Sequence, residues 1–157
     1  MFEQIVIRLQ GDPRGKGRHR SRVVALPGRA PFVQEYADPA TARYERALAE
    51  EAHVEMAGRA MLTGPLVVTV YAFMPIPKSW PERKKREARN RVIVPVVKPD
   101  WDNIAKVCDA LNGIVWGDDA AVLTGSVMKL YSDEPELVIA VQPWVPVLPV
   151  ALLQAAE

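Results

Sequence analysis

Residues 65–74, Pro-Leu-Val-Val-Thr-Val-Tyr-Ala-Phe-Met, limit the fold more than any other stretch. β-branched and aromatic side chains crowd it, so it reads as a strand. It is apolar on both faces, which places it centrally in a sheet. Pro75-Ile76-Pro77 ends it. Residues 2–9 alternate, with Ile5, Ile7 and Leu9 on one face, and predict a second strand. Residues 121–131 and 136–144 predict a hairpin-like pair around the turn Ser132-Asp133-Glu134-Pro135.

Helical periods fall between these strands. Asp38-Pro39 starts a helix, with Asp as N-cap and Pro as first residue, running to about Gly58. Tyr44, Ala47 and Leu48 share one of its faces. Ser79-Trp80-Pro81-Glu82 fits a capping box and predicts a short basic helix to about Asn90. Residues 92–97 read as a strand, or, because of Pro95, as an edge or loop. Residues 103–112 predict a second amphipathic helix with Ile104, Val107, Cys108 and Leu111 as its buried stripe. Gly113 follows as the positive-φ terminator. Residues 14–37, rich in Arg, Gly and Pro, predict a long loop. The expectation is a single α+β domain over residues 1–157.

Composition is ordinary for such a domain: 49% apolar and 25% charged. No apolar run of about 20 residues predicts a membrane span. The N-terminus lacks the pattern of a secretory signal. Cys108 is the lone cysteine, which fits a reducing cytosol. The expected location is cytoplasmic and nucleoid-associated, with no membrane partner.

Residues 98–119 carry the chemistry, with five aspartates and two lysines. Asp100 and Asp102 sit two apart, so in extended chain they share a side. Lys106 follows Asp102 by one helical turn. Asp118 and Asp119 are adjacent and return after the Gly113 turn. Clustered carboxylates repel unless a cation neutralises them. A hard divalent ion held by oxygen ligands resolves this, and Mg²⁺ suits phosphodiester hydrolysis. Asp100, Asp102 and Asp119, with Asp118 beside them, are therefore expected to converge as metal ligands. Asp100, Asp102, Lys106 and Asp119 are the candidate catalytic residues, and Mn²⁺ is an acceptable substitute ion.

Simpler roles stand beside these. Asp102 or Asn103 fits a helix N-cap, Asp118-Asp119 a turn, and Asp109 a salt bridge to Lys106. The Asp-x-Asp-Asn start fails as an EF-hand because Ala105 occupies the required Gly position. His19 and His53 read as phosphate contacts or surface residues. Trp80 and Trp101 are candidates to wedge into a nucleic acid, with packing the simpler role for Trp101. The apolar tail over 145–153 is expected to cover the core or meet a partner chain.

The net charge is only +1, yet it is polarised. Residues 13–34 and 78–98 carry +6 each, which leaves −11 on the remainder. Basic faces beside an acidic site suit a polyanion. Arg14, Lys16, Arg18, Arg20, Lys78, Lys84, Lys85 and Lys98 are the candidate DNA contacts.

The motif Lys-Pro-Asp-Trp-Asp-Asn-Ile-Ala-Lys at 98–106, then Asp-Ala-Leu-Asn-Gly at 109–113 and Trp-Gly-Asp-Asp at 116–119, resembles the signature of the RusA family of Holliday junction resolvases, often prophage-encoded. Pro75-Ile-Pro-Lys-Ser-Trp80, Tyr44-Glu45 and the loop at 11–16 resemble it too. The resemblance implies a two-layer sandwich with a mixed sheet and helices on one face. It implies a homodimeric, Mg²⁺-dependent endodeoxyribonuclease that nicks four-way junctions in symmetric pairs. Its essential acids match Asp100, Asp102 and Asp119, and its functional lysine matches Lys106. The loop at 15–20 is more Gly-rich than the family pattern, so its geometry and any base preference lie outside what the resemblance implies. Two other readings stand open: the same chemistry on other branched or flapped DNA, and a non-catalytic DNA-binding prophage protein with a structural ion.

Overall fold

A computed structural model describes residues 4–17, 20–36 and 38–146, without the side chains of Arg20 and Glu35. Among these residues the chain runs β1 (Ile5–Gln10), β2 (Arg20–Val24), β3 (Phe32–Tyr36), α1 (Pro39–Met56), β4 (Leu66–Pro75), α2 (Glu82–Arg89), α3 (Trp101–Ala105), β5 (Val122–Ser132) and β6 (Glu136–Pro143). A 3₁₀ helix, Lys106–Leu111, continues α3.

The main sheet is mixed, in the order β1-β6-β4-β5. β4 is central, as its two apolar faces predict: it pairs antiparallel with β6 and parallel with β5. β5 and β6 have close to the predicted bounds but do not pair as a hairpin, because β4 lies between them. The parallel β4–β5 pair needs a crossover, and α2, α3 and the 3₁₀ helix form it.

Alternation along β4 puts Leu66, Val68, Val70, Ala72 and Met74 on the buried face. Ile5, Ile7, Leu9, Leu137, Ile139 and Val141 extend that face across β1 and β6. Leu48, Ala52 and Met56 from α1 cover it, joined by Ile104, Val107, Leu111 and Trp116. The result is an α+β sandwich with a mixed sheet and its helices on one face. Each fully buried Leu or Ile here contributes about 1.5–3 kcal/mol.

Local signals were met unevenly. Asp38 caps α1 by accepting from the Ala40 and Thr41 N–H groups, and Pro39 is its first residue. Gly113 has φ +76°, as expected of a helix terminator. Ser79 does not cap α2: its N-cap is Pro81, with no side-chain cap bond. Residues 77–80 instead form a turn closed by Trp80 N–H donating to Pro77 O at 3.1 Å. Residues 92–97 form no strand.

The predicted loop over 14–37 contains a hairpin, β2 with β3, in a sheet of its own. Val23 faces Val33 and Val24 faces Phe32, while Arg22 donates twice to Gln34 Oε1, at 3.0 and 2.8 Å. These cross-strand pairs form despite the Gly, Pro and Arg content around them. The apolar tail lies outside the described residues from 147 onward, as do Arg18 and His19. Among the described residues no helix is long and apolar enough to cross a membrane.

Candidate metal and nucleic-acid site

The acid-bearing segment begins in irregular chain and ends in a short helix. α3 starts at Trp101, earlier than predicted, and its N-cap is Asp100 rather than Asp102 or Asn103. Asp100 has extended backbone and its carboxylate accepts no helix amide. Asp100 thus holds the N-cap position without capping through its side chain. Lys98 Nζ donates to Asp100 Oδ2 at 2.5 Å. Ile104, Val107 and Leu111 anchor the segment in the core, as their spacing predicts.

Asp102 lies in the first turn of α3, and Lys106 Nζ reaches its Oδ2 at 3.0 Å across one turn. That bond holds the Asp102 carboxyl below the usual carboxylate range. Asp100 and Asp102 line one groove of about 1020 Å³ together with Lys98, Trp101, Lys129 and the Val96-Val97 strip.

Asp118 and Asp119 separate in role. Asp118 accepts from Ala120 N–H at 2.8 Å and caps a short 3₁₀ turn, Asp119–Ala121. Asp119 makes no side-chain hydrogen bond or ion pair among the described residues and lines a mainly apolar cavity of about 270 Å³. Val68, Val70, Val127, Cys108 and Trp116 form much of its wall. Burial pushes the Cys108 thiol up to about 12, so it is protonated and inert at neutral pH. Trp101 lines both this cavity and the groove.

The expected convergence is only partly assembled. Among the described residues no three His, Cys, Asp or Glu side chains sit together closely enough to hold one ion. Asp100 and Asp102 share a groove, and Asp119 occupies the cavity across Trp101. The donor chemistry of the groove still fits a hard cation. Both carboxylates are about half exposed, at 47% and 46%, and among the described residues each pairs with one lysine. Mg²⁺ is commonly held by one or two carboxylates, with waters and substrate phosphates completing its shell.

Two sequence readings are corrected here. Asp109 pairs with Lys16 at 2.8 Å, not with Lys106, whose ammonium is taken by Asp102. Trp101 is 67% exposed rather than packed. Trp80 is the packed one, edge-on to Tyr131 at 5.2 Å with Lys84 Nζ 3.8 Å above its ring.

The basic candidates scatter. Lys16 is bound to Asp109 and, at 3.3 Å, to Glu45, so its charge is neutralised within the protein. Its own N–H donates to Asn103 O at 2.7 Å. Gly15 lies against Pro99 and Asn103, where a Cβ would come within 2.9 Å of both side chains. Gly17 N–H donates to the buried Thr41 at 3.1 Å. This Gly-Lys-Gly thread fixes the N-terminal loop between α1 and α3. Arg14 and Lys98 line a cleft with Asp100 beside it. Lys78 and Lys85 line a different cleft, near Asp133, and Lys85 pairs with Glu82 at 3.0 Å. Arg18 lies outside the described residues, as does the Arg20 side chain.

Lys129 is a residue the sequence reading missed. It sits in the core-facing row of β5 with Val127 and Tyr131, where alternation calls for an apolar side chain. That break in the alternation is the signal that would have found it.

Comparison with known proteins covers nearly all of this architecture. The family model for endodeoxyribonuclease RusA matches residues 10–142, from the end of β1 almost to the end of β6. Uncharacterized protein YqaN of Bacillus subtilis (strain 168) is 32% identical over 136 residues, which cover 85% of this chain and 87% of that protein. On this match the chain belongs to the RusA family of endodeoxyribonucleases, the Holliday junction resolvases.

Proposed function

We propose that the protein is a Mg²⁺-dependent resolvase that nicks four-way DNA junctions at the Asp100–Asp102 groove. The observation that carries this reading is the pair itself: two half-exposed carboxylates in one groove, each faced by one lysine. Asp100 and Asp102 hold the ion, with Mn²⁺ an acceptable substitute. When bound, the ion supplies Lewis acidity toward the scissile phosphate and a water of lowered pKa.

The chain's own groups do the rest. Lys106 is held at the groove by Asp102 and offsets negative charge building on the phosphate. Lys98, 83% exposed, and Arg14 meet flanking phosphates. Asp119 completes the acid set from the neighbouring cavity. Trp101 offers an exposed aromatic face on which an unpaired base at the branch can stack. A four-way junction has approximate two-fold symmetry, so paired nicks call for a two-fold homodimer.

Asp102→Asn removes charge and little volume. With a synthetic four-way junction, cleavage should fall by about 10³-fold, the rate equivalent of several kcal/mol of lost metal stabilisation. Junction affinity measured in EDTA should stay within about twofold. Loss of binding together with cleavage would make Asp102 structural. Equal cutting of junction and linear duplex by the wild type would remove the junction specificity.

A further inference from the structure

We infer that Lys129 is a positioning residue for the metal-binding groove, clamping the loop that delivers Asp100; the inference rests on the metal reading above. Residues 96–99 are irregular chain and have no strand partner among the described residues. Val96 and Val97 are 89% and 54% exposed, so apolar burial does not fix them. Pro95 is buried behind the loop and Ile104 is buried ahead of it. Between those anchors, the hydrogen bonds from the described residues to 96–99 come from one side chain. Lys129 Nζ donates to Val97 O at 2.6 Å and to Pro99 O at 3.1 Å.

The base of that side chain is fixed. Lys129 lies in β5, in register with the fully buried Ala72 of β4, on the sheet face that carries the helices. A lysine in this row breaks the alternation of an otherwise inward-facing set. Such a placement is stable when the ammonium finds oxygen acceptors. Here it finds two, and they bracket Lys98 and stand immediately before Asp100. An ammonium has three donors and no acceptor, so it can bridge two carbonyls at once. A methionine or leucine would fill the same space and tie neither carbonyl to the sheet. The clamp thus joins the rigid sheet to the one ligand whose backbone is otherwise irregular. Asp102, inside α3, does not depend on it.

The test compares Lys129→Met and Lys129→Arg with the wild type. Mn²⁺ uptake by the DNA-free protein, followed by electron paramagnetic resonance, reads the site without turnover. Lys129→Met should raise the half-saturating Mn²⁺ by about tenfold or more, the usual cost of losing a group that orients a ligand. Lys129→Arg, still able to donate to both carbonyls, should recover most of that loss. Hydrogen exchange should quicken at the amides of 96–103 in Lys129→Met while β4 and β6 stay protected.

Unchanged Mn²⁺ uptake and unchanged exchange in Lys129→Met would overturn the inference. So would a drop in junction affinity in EDTA with Mn²⁺ uptake intact, since that pattern belongs to a phosphate contact. Exchange quickening throughout the sheet, unrescued by arginine, would overturn it in favour of a general role in folding. A wild type that takes up no Mn²⁺ and cuts no junction would overturn the metal reading, and the inference with it.

Discussion

The two acid clusters look alike as sequence and differ as structure. Asp100 and Asp102 stand at the entry to a helix, both half exposed and both in the groove, and the N-cap residue Asp100 makes no side-chain cap bond. Asp118 and Asp119 stand in a turn, where one carboxylate is spent on Ala120 N–H and the other faces an apolar cavity. The difference comes from what each backbone needs. The α3 N-terminus draws no amide onto the Asp100 carboxylate, which pairs with Lys98 instead, whereas the 3₁₀ turn at 119–121 draws Asp118 into its own hydrogen bonding. Proximity of like charges marks a site, then, but the local demand for amide acceptors decides which acids remain available to it.

The sharpest break of this contrast is inside the second cluster. Asp119→Asn should lower junction cleavage by about 10²–10³-fold, the usual cost of removing one charged contributor to a phosphoryl-transfer site. It should leave the melting temperature nearly unchanged, since no described residue pairs with that carboxylate. Asp118→Ala should do the opposite: cleavage within a few-fold of wild type and a stability loss of about 1 kcal/mol for the missing cap. If Asp118→Ala abolishes cleavage while Asp119→Asn is silent, the division of labour is reversed.

Trp101 is the wall common to the groove and the cavity, so it tests how far apart the clusters stand. Trp101→Ala should change stability by less than about 0.5 kcal/mol, as for an exposed side chain. It should weaken junction binding by about tenfold, within the range of one lost base stack. Trp80→Ala should cost about 2 kcal/mol, below the full core value because Trp80 is only partly buried. Thermal melts and junction titrations of both variants separate packing from contact. A large melting loss for Trp101→Ala would return it to the core and erase the shared wall.

Much of this was legible in the residues because it is local. Asp38-Pro39, the apolar faces of β4, the Lys106–Asp102 turn and Gly113 each act within a few residues. What escaped was set at long range. The capping box at Ser79 lost to the Pro77–Trp80 turn, which delivers Trp80 to Tyr131 on β5. The pairing of β5 with β4, not β6, depends on a crossover more than 40 residues long, which no two-residue period reveals. The β2–β3 hairpin hid in a Gly-, Pro- and Arg-rich stretch. Of the site, the residues were legible and their arrangement was not: Asp109 sits three residues from Lys106 yet pairs with Lys16, 93 positions away.

That last pair sets which acids the cavity offers. Asp109 lines the same cavity as Asp119, yet its carboxylate is neutralised by Lys16, which is only a quarter exposed. The bond to Asp109, opposed by partial burial and helped by Glu45, raises the Lys16 pKa above 10.5. Lys16→Met should therefore cost about 1–2 kcal/mol, between the exposed and the shielded ion-pair values. The sign follows from the raised pKa. Lysine in the unfolded chain titrates near 10.5, so the contribution is fully present below that pH and is lost as pH rises through the higher folded value. Melting curves of wild type and Lys16→Met should differ by a constant amount across neutral pH and draw together only above about 10.5. Cleavage should fall by less than about tenfold, far short of Asp119→Asn, because Lys16→Met leaves Asp100, Asp102, Lys106 and Asp119 in place. A cleavage loss matching that of Asp119→Asn would enrol Asp109 in the acid set, and the two clusters would no longer be two.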